Sequence, residues 1–389
     1  MEAGASTGSS KKKVQIIPNR LYWMSDSKTP RGEGQAFFFN IDEDLVYRPF
    51  FRDFGPLNLG NTYRFVTELD KLLKNQDYSQ SKIIHYTSID AAKRANAAYL
   101  MGAFQIIILH RTALEAWAPF VDVEPPFRPF RDASYTNCSY ECTILDCLKG
   151  LEYAIKLGWF DVNTFNVKDY EFYEDVDNGD LNWILPKKFV AFCTPSNGVG
   201  HDQNLSVEDY VKIFKPMKVT AVVRLNNPQY DGSKFKTAGI HHYDLEFPDG
   251  SCPEESKWVK FLEIAEKEPC LAVHCKAGLG RTGTMIGLYI MKHYRFPAAA
   301  FIGWIRICRP GSILGPQQQW LNMMQDRMFK MCDSSPIYQS LDNSVKELSR
   351  HLSSMTVGST QMNAQEAQTF QHGQAGQGEF LTKAKQGGK

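Results

Sequence analysis

The sequence predicts an α/β fold built on mostly parallel strands, and three observations in its second half predict it. KFVAFCTP at 188–195 and VTAVVRLN at 219–226 are short apolar runs that read as buried strands. SKWVKFLEIAEKE at 256–268 has helical spacing. LAVHC at 271–275 is a further apolar strand, followed by a helix from Thr282 to about Tyr294. Strands alternating with helices give a parallel sheet with helices on its faces. The first half echoes this pattern: IIHYTSIDAAKRANAAYLMGAF, at 83–104, sets a strand, His85, Tyr86 and Arg94 before a helix, much as AVHCKAGLGRTGTMIGLYIM does later. A duplicated unit whose first copy lacks the cysteine is the expectation.

A chain of 389 residues, 43% of them apolar, can bury a substantial core and form two domains of common size. Lys plus Arg number 44 against 43 for Asp plus Glu, so no global charge bias points to nucleic acid or a membrane surface as the main partner. The most apolar stretch, AYLMGAFQIIIL at 98–109, is too short to span a bilayer and contains Gly102 and Gln105, which predicts a buried core helix. MEAGASTGSSKKK lacks a secretory pattern and QGGK carries no prenylation motif, so an intracellular protein without an integral membrane segment is expected. The nine cysteines are then expected as reduced thiols. Cys138, Cys142 and Cys147 lack the paired spacing of a zinc site, and neither metal nor cofactor is expected.

Composition marks the expected limits. Residues 1–12 and the Ser, Gln and Gly-rich stretch 336–389 read as disordered tails. An acidic run, KDYEFYEDVDNGDLNW at 168–183, reads as a connector. The expected layout is a first domain at 13–163, an acidic linker helix at 164–178 and a second domain at 179–335.

The chemistry lies in HCKAGLGRTG at 274–283. A loop leaving a strand and entering a helix turns its N–H groups inward, and the helix amino end adds partial positive charge, so an anion binds there. The loop residues Lys276, Ala277, Gly278, Leu279 and Gly280 would form the cradle, the two glycines permitting close backbone approach. Arg281 can fork two N–H bonds onto phosphate oxygens. Cys275 at the base would face the phosphorus as a nucleophile, its thiolate favoured by the amides, the dipole and Arg281. Thr282 could hydrogen-bond the sulfur, and His274 could order the loop through a backbone bond. A nucleotide-binding P-loop is excluded, because the Lys-Ser/Thr pair after the glycines is missing.

Sulfur attack on a phosphate ester needs an acid for the leaving alkoxide. Asp249, in the turn Pro248-Asp249-Gly250, is the first candidate; Asp244, with apolar flanks that suggest a strand end, is the second. Hydrolysis of the thiophosphate needs a held water, for which GPQQQW at 315–320 offers Gln317, Gln318 or Gln319 at a helix start.

HCKAGLGRTG resembles the signature of the protein tyrosine phosphatase superfamily. The longer VHCKAGLGRTGTMIGLYIMKHYR and IRICRPGSILGPQQQWL, with HHYDLEFPDG, NGDLNW, FRDASY and FRDFGPLNLG upstream, are similar to the mitotic-exit cell-division-cycle-fourteen family of dual-specificity phosphatases over roughly residues 13–330. The resemblance implies two tandem dual-specificity-phosphatase-like domains, each a central mostly parallel sheet flanked by helices, joined by a helical linker, with only the second catalytic. It implies Cys275 as nucleophile, Arg281 as phosphate ligand and Asp249 as general acid. It also implies phosphorylated protein substrates of proline-directed kinases: phosphoserine before proline, with a basic residue further on that meets an acidic groove between the domains. Glu171, Glu174 and Asp180 stand at the matching positions, the first two sharing a helix face, and Tyr135 matches an aromatic wall near the substrate proline. The implied setting is the nucleus or cytoplasm, at centrosome, spindle or basal body. Two rival readings are a phosphoinositide phosphatase, against which Leu279 stands where a second loop lysine would be, and a catalytically silent phosphoprotein-binding scaffold.

Overall fold

A computed structural model gives the structure of the chain and describes residues 13–30, 34–135, 138–197, 204–354 and 376–387. The tail expected at 1–12 lies outside the described residues. The chain divides into two compact units: residues up to Val46 with Arg64–Arg128, and Tyr47–Tyr63 with Pro129 onward. Residues 129–163, read above as part of the first domain, thus cluster with the second unit.

The first unit holds a four-stranded sheet. Its strands are β1 (Val14–Ile17), β2 (Leu21–Ser25), β3 (Ala36–Phe39) and β4 (Lys82–Thr87), in the order β1-β2-β4-β3. β1 pairs antiparallel with β2, and the other pairings are parallel. Helix α1 (Leu59–Lys74) crosses the division, while α2 (Ala91–Ile107) and α3 (Ala113–Trp117) belong to this unit. α2 contains most of the apolar stretch read as a core helix and is buried continuously from Arg94 to Ile107.

The second unit has α4 (Ile144–Lys156) and α5 (Val167–Glu174), then β5 (Leu181–Leu185), β6 (Phe189–Phe192), α6 (Val207–Phe214) and β7 (Ala221–Arg224). α7 (Ser233–Thr237), β8 (His241–Asp244), α8 (Glu255–Lys267) and β9 (Leu271–His274) follow. The chain continues through α9 (Gly280–Tyr294), α10 (Ala298–Cys308) and α11 (Pro316–Cys332). The sheet order is β5-β6-β9-β7-β8, with only the β5–β6 pair antiparallel. β6, β7 and β9 are buried at every residue, as interior strands covered by helices on both faces must be. α4 and α10 approach closely because of glycine: a Cβ on Gly150 would stand 2.3 Å from the Ala300 carbonyl oxygen, and one on Gly303 2.7 Å from Cys147 Cα.

The acidic linker is shorter than the 164–178 helix expected: α5 ends at Glu174, and a 3₁₀ turn covers Val176–Asn178. The expectation of disorder across 336–389 also differs from the structure. α12 (Pro336–Ser340), α13 (Asn343–Ser354) and α14 (Gln377–Gly387) are helical, while 355–375 lie outside the described residues. Val345, Ser349 and Leu352 are buried on one face of α13, where Ser349 Oγ donates to the Arg295 carbonyl at 2.7 Å. Three apolar residues at helical spacing, Val345, Leu348 and Leu352, suffice when a packed surface receives them.

The two sheets repeat one plan. Each opens with an antiparallel hairpin, closed by Ile17↔Leu21 or Leu185↔Phe189, whose second strand pairs in parallel with the strand leading to the loop. Leu21 faces Ile83 and Phe189 faces Leu271, so counting four residues on sets Thr87 in the place of Cys275. This corrects the sequence alignment through His85 and Arg94. Arg94 lies one turn inside α2, where it donates to the Pro125 carbonyl at 2.7 Å. The Asp90 carboxylate already accepts the Ala92 and Lys93 N–H groups at the start of α2, so that helix end has filled its own anion site.

Candidate active site

Cys275 follows β9 and α9 begins at Gly280, so the loop 275–279 crosses from strand end to helix start. The Cys275 side chain is buried. Gly278 has φ +67°, and a Cβ there would lie 1.9 Å from the Phe192 carbonyl oxygen. Only glycine meets both demands. Gly278→Ala is therefore expected to cost about 3 kcal/mol of stability, read as a lower denaturant midpoint at unchanged slope.

Arg309 holds the loop from behind. Its Nε donates to the Gly278 carbonyl at 2.8 Å and its Nη2 to the Ala277 carbonyl at 3.0 Å, while Nη1 reaches Asn182 Oδ1 at 2.7 Å. With these carbonyls bonded outward, the peptide planes are fixed with their N–H edges toward the cradle. Sequence reading missed Arg309, although it stands in the quoted run IRICRPG. Lys276 Nζ donates to Gln229 Oε1 at 2.7 Å, and the Leu279 side chain is fully buried with Ala133, Ala277, Leu314 and Leu381.

His274 bonds the Cys275 carbonyl through Nδ1 at 2.9 Å, and its Nε2 lies 2.8 Å from Tyr230 Oη. A carbonyl only accepts, so Nδ1 carries the proton, Nε2 accepts from the tyrosine hydroxyl, and Tyr230 in turn accepts from His242 Nε2 at 2.9 Å. Burial pushes His274 down to about 3 and His242 to about 4, so both rings stay neutral near pH 7.

Arg281 Nη2 lies 3.1 Å from Asp249 Oδ1, and Nη1 donates to the Phe247 carbonyl at 2.9 Å. The structure thus brings the phosphate ligand and the acid candidate read from the sequence together. Arg281 Nε and Thr282 Oγ1 are buried without a hydrogen-bond partner among the described residues. Unsatisfied buried donors beside a cradle of amides are the mark of a site that takes an anion. Asp244 is not part of this group: it ends β8 and accepts from Arg224 Nε at 2.6 Å.

The three glutamines separate. Gln317 Oε1 would stand 2.8 Å from a Cβ on Gly280, and its Nε2 donates to the Ser251 carbonyl at 3.0 Å, which sets its amide between the loop and the turn carrying Asp249. Gln318 is held elsewhere, donating to Asp132 Oδ2 at 2.8 Å and accepting from Arg306 Nη2 at 2.6 Å. Gln319 donates to Ser139 Oγ at 2.9 Å.

Glu171 and Glu174 both lie on α5. Glu174 accepts from Asn58 Nδ2 at 2.8 and 3.0 Å and from Tyr170 Oη at 3.1 Å, and burial raises its pKa against the opposing pull of those bonds, Lys385 and Arg309. Asp180 is buried, with Arg309 Nη2 at 3.0 Å and Lys385 Nζ as a second cation on the same oxygen. Tyr135 is 41% exposed, which removes core packing as its role. Among the described residues no group of His, Cys, Asp and Glu could hold a metal ion, all nine cysteines are unpaired, and no helix is long and apolar enough to cross a membrane.

The chain is similar to known proteins. The family described as dual specificity protein phosphatase, N-terminal half, matches residues 15–154, and a phosphatase family of polymorphic toxin systems matches 198–295. The chain is 45% identical to the human dual specificity protein phosphatase CDC14A over 368 residues, 92% of this chain and 61% of that protein. It is also 45% identical to human CDC14C over 318 residues, 80% of this chain and 71% of that protein. The CDC14 homologue of Schizosaccharomyces pombe, a tyrosine-protein phosphatase, is 40% identical over 80% of this chain and 60% of that protein. The chain thus spans about three fifths to seven tenths of the length of these relatives. Among solved structures, PTPMT1 aligns at 20% identity and a TM-score of 0.34 over 40% of this chain and 99% of its own. The phosphatase domain of Yvh1 from Chaetomium thermophilum aligns at 16% and 0.31, over 39% of this chain and 98% of its own. The family profile over the first sheet and an identity that runs through both units to the loop at Cys275 lead to one conclusion: the chain belongs to the CDC14 family of dual-specificity protein phosphatases.

Proposed function

We propose that the chain is a cysteine-dependent protein phosphatase that hydrolyses phosphoserine, and phosphotyrosine and phosphothreonine, in proteins. The single observation that carries this reading is the loop of Cys275 to Arg281, ordered from behind by Arg309 and carrying two unsatisfied buried donors at its helix end. In the first step the Cys275 thiolate attacks phosphorus, the P–O bond to the substrate breaks, and Asp249 gives its proton to the leaving oxygen. Before that step phosphate must displace the Asp249 carboxylate from Arg281, and the freed carboxylate takes from solvent the proton that it then gives to the leaving oxygen. In the second step a water held by the Gln317 amide attacks the thiophosphate, gives its proton to Asp249, and the P–S bond breaks to return the thiolate. Stabilisation of the phosphoryl oxygens by fixed amides and Arg281 supplies most of the rate.

The preferred substrate of this reading is phosphoserine followed by proline with a basic residue beyond it, the product of proline-directed kinases such as those of the cell cycle, in nucleus or cytoplasm. Its support is Asp180 and Glu174, which lie near a common cation, Lys385, and the exposed ring of Tyr135. The test is a panel of phosphopeptides with and without the downstream lysine. Glu171→Gln, Glu174→Gln and Asp180→Asn together are expected to lower kcat/KM about tenfold for the lysine peptide and leave the neutral peptide nearly unchanged. Faster phosphate release from a phosphoinositide than from any peptide would overturn the reading.

A further inference from the structure

The run FRDASY carries a residue besides Tyr135 that reaches toward the catalytic loop. Asp132 is buried. Its Oδ1 accepts from the Ser134 N–H at 3.2 Å and the Ser134 hydroxyl at 2.6 Å, and its Oδ2 accepts from the Gly315 N–H at 2.6 Å and Gln318 Nε2 at 2.8 Å. These bonds fill every lone-pair position of the carboxylate, so Asp132 holds its neighbours and takes no part in proton transfer. A buried carboxylate adds little net stability, because desolvation offsets the gain of its contacts, so its contribution is geometry.

What it holds is the turn before α11. Ile313 and Gly315 stand at positive φ, +62° and +52°, and a β-branched residue keeps that conformation only where its surroundings impose it. Arg306 grips the same turn: Nη2 donates to the Ile313 carbonyl at 2.9 Å and to Gln318 Oε1 at 2.6 Å, and Nε donates to the Ser312 carbonyl at 3.1 Å. Gln318 thus bridges the carboxylate and the guanidinium. Gln317 is tied to the turn as well, its Oε1 accepting the Leu314 N–H at 3.3 Å and its backbone N–H donating to the Leu314 carbonyl at 3.2 Å. The Leu314 carbonyl and the Gly315 N–H are opposite edges of one peptide plane, so Gln317 and Asp132 hold that plane from its two sides.

We propose that Asp132 is a positioning residue for the second chemical step, fixing through the Leu314–Gly315 peptide the Gln317 amide that holds the attacking water. This rests on the phosphatase reading, in which that water attacks phosphorus, its proton passes to Asp249 and the P–S bond breaks to return the Cys275 thiolate. Attack by Cys275 in the first step does not need the amide.

The experiment uses the full chain with nitrophenyl phosphate. Rapid mixing separates the burst of nitrophenol, which follows phosphoenzyme formation, from the steady state, which follows its hydrolysis, and added glycerol reports by the ratio of glycerol phosphate to phosphate how strictly water is held. Asp132→Ala is expected to slow hydrolysis roughly thirtyfold, keep the burst rate within about threefold and raise the glycerol share about fivefold. In a Gln317→Ala background the same substitution should slow hydrolysis by less than about twofold further, since the group it positions is gone. The glycerol share does not depend on how much chain is folded, so it is read equally from Asp132→Asn, where one acceptor oxygen becomes a donor and a rise of about twofold is expected. An unchanged glycerol share in both variants, equal slowing of burst and steady state, or independent losses in the double variant would overturn the assignment. A wild-type chain that forms no phosphoenzyme from any ester would sink the phosphatase reading itself.

Discussion

Cys275→Ser is expected to lower kcat by on the order of 10⁵-fold on every phosphate ester, while phosphopeptide binding, followed by fluorescence polarisation, stays within about threefold. The reason is the attacking atom. Sulfur is a strong nucleophile and a good leaving group from phosphorus, whereas a serine hydroxyl is a weak nucleophile without an adjacent base, and no histidine can take its proton. His274 is adjacent in sequence, but its Nδ1–H is committed to the Cys275 carbonyl and its Nε2 to Tyr230. Binding survives because the amides, Arg281 and the carbonyl bonds of Arg309 are untouched. Full activity in the serine variant would remove Cys275 from the mechanism.

Asp249→Ala should divide substrates by leaving group. For phosphoserine peptides, whose alkoxide must be protonated as the P–O bond breaks, kcat is expected to fall by roughly 10²–10⁴-fold. For a nitrophenyl phosphate, whose leaving group needs little help, the fall in the rate of phosphoenzyme formation should stay within about tenfold. Burst kinetics check the assignment: phosphoenzyme should form slowly from the peptide and at near the original rate from the aryl ester. Asp249 also holds Arg281 and the Gly378 N–H, so its loss should lower KM for both substrates as competing contacts disappear. An equal slowing of phosphoenzyme formation from both esters would assign the acid elsewhere.

The parts of the fold carried by local pattern were legible in the sequence. Phe189–Phe192, Ala221–Arg224 and Leu271–His274 lie inside the runs read as buried strands, and the helices at Glu255–Lys267 and Gly280–Tyr294 lie within two residues of the reading. The loop was legible for the same reason, since Cys275 through Arg281 are contiguous. Arg309, Tyr230 and Gln229 were not, because they reach the loop only through the folded chain, 28 or more residues away in sequence. α13 and α14 are not legible because the stretch 336–389 as a whole is rich in Ser, Gln and Gly. Their few apolar residues, Val345, Leu352 and Leu381, become structure-forming only against a surface that composition does not record. The echo in the first unit is legible but its register is not: His85 resembles His274 in sequence, whereas strand register matches Thr87 to Cys275.

One guanidinium, that of Arg309, is bonded at once to the carbonyls of Ala277 and Gly278, to Asn182 and to Asp180. The loop's conformational freedom is therefore surrendered when the chain folds and not when phosphate arrives. Phosphoryl transfer in such a cradle should show a small activation entropy, with its barrier almost wholly enthalpic. Replacing Arg309 by methionine would move that ordering into the catalytic cycle, and an Eyring plot would register the change as a more negative intercept before any change in slope.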